Sequence, residues 1–179
     1  GYYTDISYVM IKKALEIFRD KKEQVAINMN ISDIYNYKIV HLVLTFLKNA
    51  PRPQNYIFEL TETEEITDYQ VIYEFVDKIH QAGGKIAIDD FGSGFSNIVN
   101  LFKIKSDYIK VDGEIVKNTV ADIFASEFLE MIADWAKRHK KEVIAEFVEN
   151  SAIQDIIEKN NIRFSQGYLY SKPEKRFGV

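Results

Sequence analysis

The sequence contains no cysteine, which excludes a disulfide framework and any thiolate metal site. It has no surplus of positive charge either: 23 Lys and Arg against 27 Asp and Glu give a formal net charge of -4. No general basic field is therefore present to gather phosphates, and any phosphate ligand needs a local device such as a metal ion. No apolar run approaches the ~20 residues needed to span a bilayer, and the N-terminus lacks the basic-then-apolar layout of a signal peptide. The expectation is a soluble chain without membrane contact. Histidine is scarce, with 3 in the chain. His41, His80 and His139 fall on expected helices at no shared spacing, so packing rather than metal binding is expected of each. Linkers, low-complexity tracts and short repeats are missing, which points to one domain over residues 1–179.

What is present is enough for a folded core. The chain has 179 residues, 46% of them apolar and 13% aromatic, a size at which roughly 70% of the unfolded surface is buried. Short β-branched and aromatic runs alternate with longer stretches of helical period, the pattern of a parallel α/β fold. Strands are expected at Val25–Asn28, Tyr56–Thr61, Lys85–Phe91, Tyr108–Asp112, Glu142–Phe147 and Arg163–Tyr168. Helices are expected at Ile6–Phe18, Ile34–Lys48, Asp68–Ala82 and Glu127–His139, the third stopped by Gly83-Gly84.

Each expected strand runs into a group able to bind a metal or move a proton. The series is Asn28, then Glu59 and Glu62, Asp89 and Asp90, Lys110 and Asp112, Glu146 and Glu149, and finally Gln166. In a barrel of parallel strands these ends converge on one mouth, and burying so many polar groups for stability alone is costly. Single members have plainer readings: Asp112 as the N-cap of the next helix, Asn28 as a turn residue, Lys110 as an outer-face lysine. Carboxylate and amide oxygens without His or Cys suit hard cations such as Mg²⁺ or Mn²⁺. Asp89 and Asp90 reach one metal pair only if the chain bends between them, because neighbours on a strand face opposite ways.

The segment Asp89-Asp90-Phe91-Gly92-Ser93-Gly94-Phe95-Ser96 resembles the DDFGTGYS loop of EAL domains. Glu59-Leu60-Thr61-Glu62 is similar to that family's E-x-T-E, Lys110-Val111-Asp112 to its K-x-D, Ala145-Glu146-Phe147-Val148-Glu149 to its A-E-G-V-E, and Gln166-Gly167-Tyr168 to its Q-G-Y, in the family's order. The resemblance implies a (β/α)8 TIM-type barrel that hydrolyses cyclic di-GMP to linear pGpG with two Mg²⁺ or Mn²⁺ ions. It makes Asn28, Glu59, Asp89 and Asp90 metal ligands, Glu146 a general base or second-metal ligand, and Lys110 the residue that orients water and offsets negative charge. Glu62, Phe91, Gly92 and Gly94 would support the glycine-rich loop, while Asp112, Glu149 and Gln166 would line the site. A cytoplasmic location and a homodimer come with the same resemblance. The alternative within the family is an inactive receptor of cyclic di-GMP or a protein-interaction module. Another Mg²⁺-dependent barrel enzyme would explain the carboxylates but not the glycine-rich loop.

Three departures shape the expectations. The Glu-Ala-Leu motif is missing, and the family pattern places two strands and a helix before Gly1, so the chain is expected to hold about six strands of an incomplete barrel. The isolated fragment is then expected to be impaired, with exposed edges at the Val25 and Arg163 strands that favour dimerisation, strand exchange or incomplete closure. Phe147 stands where the family has glycine, and its bulk either alters the pocket or packs. The asparagine motif reads as Asn28-Met29-Asn30 or as Asn30-Ile31-Ser32, with Asn28 preferred because it leaves room for a loop before the next helix.

Overall fold

The computed structural model describes residues 2–61, 68–93 and 102–172, with α1 at Tyr2–Phe18, β1 at Val25–Asn30, α2 at Ile31–Ile34, α3 at Tyr37–Asn49, β2 at Tyr56–Thr61, α4 at Tyr69–Gln81 and β3 at Lys85–Phe91. There follow β4 at Tyr108–Val111, α5 at Gly113–Asn118, α6 at Ile123–Arg138, β5 at Glu142–Ala145, α7 at Ser151–Lys159 and β6 at Phe164–Ser165. The chain packs as two compact units, 1–89 with 96–107 and 90–95 with 108–179. Glu62 and Gly94 lie outside the described residues.

In the first unit, β1, β2 and β3 pair in parallel, with Asn28 opposite Glu59 and Glu59 opposite Ala87. β1 alternates because Val25, Ile27 and Met29 are buried while Ala26 and Asn28 face out, and β2 is buried through five consecutive residues, Tyr56 to Leu60. Alternating and continuously buried strands of these kinds suit a one-sided and a two-sided position respectively. α4 begins where the Asp68 side chain accepts from the Gln70 amide at 2.8 Å. It buries Ile72, Phe75, Val76 and Ile79. It stops as expected: Gly83 has φ 86, and the amides of Gly83 and Gly84 donate to His80 and Ile79 at 2.9 and 3.0 Å, the paired bonds of a Schellman motif. The helix expected at Ile34–Lys48 is instead two, α2 and α3. Asn36 divides them because its backbone is extended and its side chain accepts from the Lys38 amide at 3.0 Å, a bond that opens a new helix rather than continuing an old one.

Two features of this unit give tests of stability. Tyr56 is 1% exposed and its ring meets Phe46 edge-on at 5.2 Å, but its hydroxyl is buried without a hydrogen-bond partner among the described residues. Burial, with the charge of Asp20, pushes its ionisation upward. Tyr56→Phe removes only the orphaned hydroxyl and is expected to leave stability unchanged or raise it by up to about 1 kcal/mol, read as the midpoint of urea unfolding. Asp107 is the second. Burial works to raise its carboxyl, but the His80 ring bond, the Ile86 amide and the charges of His80 and Lys85 together hold it below the ordinary carboxylate value, with Oδ2 at 3.0 Å from His80 Nε2 and 2.8 Å from the Ile86 amide. A depressed carboxylate stabilises fully above its unfolded pKa, ~3.9, and loses that contribution as pH falls through the lower folded value. Asp107→Asn is therefore expected to lower the unfolding midpoint at neutral pH and to flatten its acid limb, measured by thermal melts across the carboxylate range.

In the second unit, β4 pairs with β5 and β5 with β6, both in parallel. β4 is buried along its whole length, and α6 buries Leu129, Ile132 and Ala136 beneath an Asp122 cap. α6 starts at Ile123 rather than Glu127 because that cap lies earlier than the apolar period suggested. The strands expected at Glu142–Phe147 and Arg163–Tyr168 end early, at Ala145 and Ser165, for one reason. Phe147 has φ 53 and turns the chain out of the ladder, although Val148 still bonds Gln166 and Leu169 across it, at 3.0 and 2.9 Å. The remaining histidines pack: His41 stacks on Tyr37 and His139 on Trp135. Among the described residues no helix is long and apolar enough to cross a membrane.

Candidate active site

At the carboxyl ends of the first unit's strands, register does the assembling. Asn28 and Glu59 are direct partners across β1 and β2, and Asp89 lies two residues beyond Ala87, the partner of Glu59. Residues two apart on a strand share a face, so Asn28, Glu59 and Asp89 project to the same side. Glu59 is 8% exposed, Asp89 is half-buried and Asn28 is exposed. Asn30 lies on that face too. Its Oδ1 accepts from the Thr61 hydroxyl at 3.0 Å, and its amide donates to Asp33 Oδ2 at 3.1 Å as α2 begins.

The second unit brings Asp90, Lys110, Glu146 and Gln166 together. Asp90 has φ 50, the bend that frees it from the alternate facing of Asp89. Ser93 fixes this bend, its hydroxyl and amide donating to the Asp90 carbonyl at 2.8 and 3.1 Å. Phe91 is buried against Phe128, the ring centroids 6.3 Å apart. Gly92, at φ 99, passes so close to α5 that a Cβ there would lie 2.3 Å from Ile115 Cδ1. Both residues therefore anchor the start of the loop.

Lys110 and Glu146 are buried, and Lys110 Nζ stands 2.9 Å from Glu146 Oε1. Gln166 Nε2 donates to the same oxygen at 2.6 Å. A carboxylate oxygen held by an ammonium and an amide has its orientation set by two charge-assisted or strong bonds. Gln166 reaches it because Gly167 lets the chain pass against Val148, where a Cβ would lie 2.3 Å from both the amide nitrogen and the carbonyl oxygen. The carboxylates of Asp90 and Glu146 come within 4.8 Å of one another, close enough for both to contact one small cation. Every donor is an oxygen, which fits a hard divalent ion. Asp112 caps α5, its Oδ1 accepting from the Glu114 amide at 2.8 Å. Glu149 pairs with Lys117 at 3.8 Å.

Sequence reasoning placed Gln166 at the site but not as the partner of Glu146, and it gave no role to Gly113 or Lys117. A polar side chain twenty residues from its partner leaves no local pattern. Position 147, where the EAL pattern has glycine, carries a left-handed backbone with Phe in place.

A family model described as EAL domain matches residues 1–173. The chain belongs to the EAL domain family. The E. coli K12 protein named probable cyclic di-GMP phosphodiesterase PdeA is 35% identical over 133 residues, which is 74% of this chain and 18% of that protein. BlrP1 of Klebsiella pneumoniae, solved in a manganese and cyclic di-GMP complex, superposes with a TM-score of 0.78 at 30% identity, covering 93% of this chain and 43% of that one. The PaMucR phosphodiesterase, solved with c-di-GMP, shares the fold at a TM-score of 0.85 and 22% identity over 97% of this chain and 73% of its own. The parallel α/β class expected from the strand and helix pattern, and the TIM-type barrel implied by the EAL resemblance, agree with the fold of these EAL structures. The EAL chain spans less than a fifth of the length of the E. coli relative.

Proposed function

We propose that this EAL chain is part of a single domain that hydrolyses one phosphodiester of cyclic di-GMP, giving linear pGpG. The observation that carries the reading is the buried Lys110–Glu146–Gln166 cluster with the Asp90 carboxylate beside it. A lysine and a carboxylate are rarely buried together for stability alone, and here a carboxylate oxygen of Asp90 lies within 4.8 Å of Glu146. The names of the similar proteins supply the substrate class.

In this reading Asn28, Glu59, Asp89 and Asp90 hold Mg²⁺ or Mn²⁺, with Glu146 as base or as ligand of a second ion. Bound ions of this kind supply Lewis acidity and make a water more acidic. Glu146, fixed at Oε1 by Lys110 and Gln166, takes the proton of the attacking water. The water oxygen bonds to phosphorus, the bond to the ribose O3′ breaks, and that oxygen takes up a proton from solvent while Glu146 gives the water's proton back to solvent. Lys110 offsets the negative charge that gathers on the phosphoryl oxygens, the preorganised help on which phosphoryl transfer mainly draws. Glu149 lines the rim. A cytoplasmic workplace and a homodimer belong to the same proposal.

The test uses the chain and the natural full-length protein. Hydrolysis with Mn²⁺ or Mg²⁺ is expected of the full-length protein and is expected to be impaired in the chain alone, and chelation with EDTA is expected to abolish it until metal is restored. Binding without turnover by the full-length protein would make it a receptor. Asn28→Ala and Asn30→Ala separate the two registers of the asparagine motif: the ligand loses Mn²⁺ affinity, whereas the other loses only the stability of its local hydrogen bonds.

A further inference from the structure

Phe147 has no part in the chemistry above, yet the fold goes to some lengths to place it. It follows Glu146 directly, and its φ of 53 lies in the left-handed region that bulky side chains enter only under strain. Its ring rests on the bare Cα of Gly113. A Cβ at Gly113 would fall 2.1 Å from Phe147 Cδ2 and 2.5 Å from Cγ, so the ring occupies the space a side chain there would need. Lys117, one turn further along α5, brings Nζ to 4.7 Å from the ring centroid. That ammonium is in turn held by Glu114 at 3.6 Å and Glu149 at 3.8 Å.

The ring is therefore located by α5 at two points and still leaves 51% of the residue exposed. Packing does not account for this, since a ring retained for packing would be covered. Strain kept at an exposed group beside reacting residues is the pattern of a functional position. Aromatic rings held in this way receive nucleobases, because every base offers a π face.

We propose that Phe147 is a substrate-positioning residue on which one purine base of the cyclic dinucleotide stacks, fixing the adjoining phosphodiester beside Glu146. The inference rests on the hydrolysis proposed above and adds the residue that holds the base.

The experiment compares hydrolysis of cyclic di-GMP by the natural full-length protein with its Phe147→Leu, Phe147→Gly and Phe147→Tyr variants. Loss of one base–aromatic stack is expected to raise KM roughly 5- to 100-fold in the Leu and Gly variants, with kcat and Mn²⁺ affinity little changed, and Tyr is expected to restore the wild-type KM. The Gly variant also relieves the left-handed strain, so its unfolding midpoint should rise while its KM worsens, a split that a structural role would not produce. In a Trp135→Phe background, Phe147→Trp should show indole fluorescence quenched saturably by cyclic di-GMP. Wild-type KM in the Leu and Gly variants of an active enzyme, or no quenching at saturation, would overturn the inference alone. A wild-type protein that neither binds nor hydrolyses cyclic di-GMP would overturn the functional reading first and this inference with it.

Discussion

Glu146→Gln is expected to lower the rate of cyclic di-GMP hydrolysis by about 10²- to 10⁴-fold, the usual worth of a positioned general base. The substitution keeps the shape of the side chain, and Gln166 keeps a neighbour, so the loss reports chemistry more than geometry. It also carries a cost in stability. Lys110 and Glu146 are 6% and 4% exposed, and removing one member of such a pair weakens the compensation of the other buried charge, at a cost of up to about 3–5 kcal/mol. A fall in activity with a fall in stability could then be confused with misfolding, and the double variant separates them. Lys110→Met together with Glu146→Gln removes both charges and is expected to regain most of the lost stability, because an uncharged pair of similar volume is often neutral against the ion pair. It should regain none of the activity. Urea midpoints and turnover measured on the single and double variants check both halves. Activity recovered along with stability would mean that the pair only holds the fold.

Gly167→Ala is expected to be the most damaging small change in the second unit. A Cβ at this position would meet the backbone nitrogen and oxygen of Val148 at 2.3 Å each, and backbone atoms yield far less readily than side-chain tips. Relief requires β6 and the segment after β5 to separate. The bonds from Val148 to Gln166 and from Leu169 to Val148, at 3.0 and 2.9 Å, would stretch or break. Overpacking usually costs 1–3 kcal/mol and occasionally more, and a clash with backbone on two sides places this one at about 3 kcal/mol or above. The same separation draws Gln166 from Glu146, so any folded protein should also turn over more slowly. Thermal melts and turnover on Gly167→Ala and Gly167→Ser check this; a melt within a degree or two of wild type would contradict the close approach.

The parts of the molecule that could be read from sequence are those where one local pattern decides the outcome. β2 and β3 were bounded to the residue because apolar, aromatic and β-branched runs end there in polar strand-end groups. α4 was equally plain, with its apolar period and a glycine pair to stop it. What escaped depends on competition between local patterns or on partners distant in sequence. Asn36 splits α2 from α3 by offering its side chain to the Lys38 amide, a choice that the apolar period running through both does not reveal. α5 and α7 are short and owe their starts to Asp112 and Asn150, each accepting from an amide of the first turn, so their apolar period is too brief to stand out. The ends of β5 and β6 were overrun because Phe147 looks like a strand residue while its backbone turns left-handed. In the site, the strand-end carboxylates and Lys110 were evident from type and position. The bond from Gln166 to Glu146 was not, because it depends on Gly167 admitting a close approach that only the folded chain displays.

Incubating the natural full-length protein with cyclic di-GMP and Mn²⁺, and resolving the products by chromatography, tests the central claim most directly. The account predicts pGpG as the product, formed only with divalent metal and lost in Glu146→Gln. Unchanged cyclic di-GMP under those conditions, or equal turnover by the Glu146→Gln variant, would contradict it.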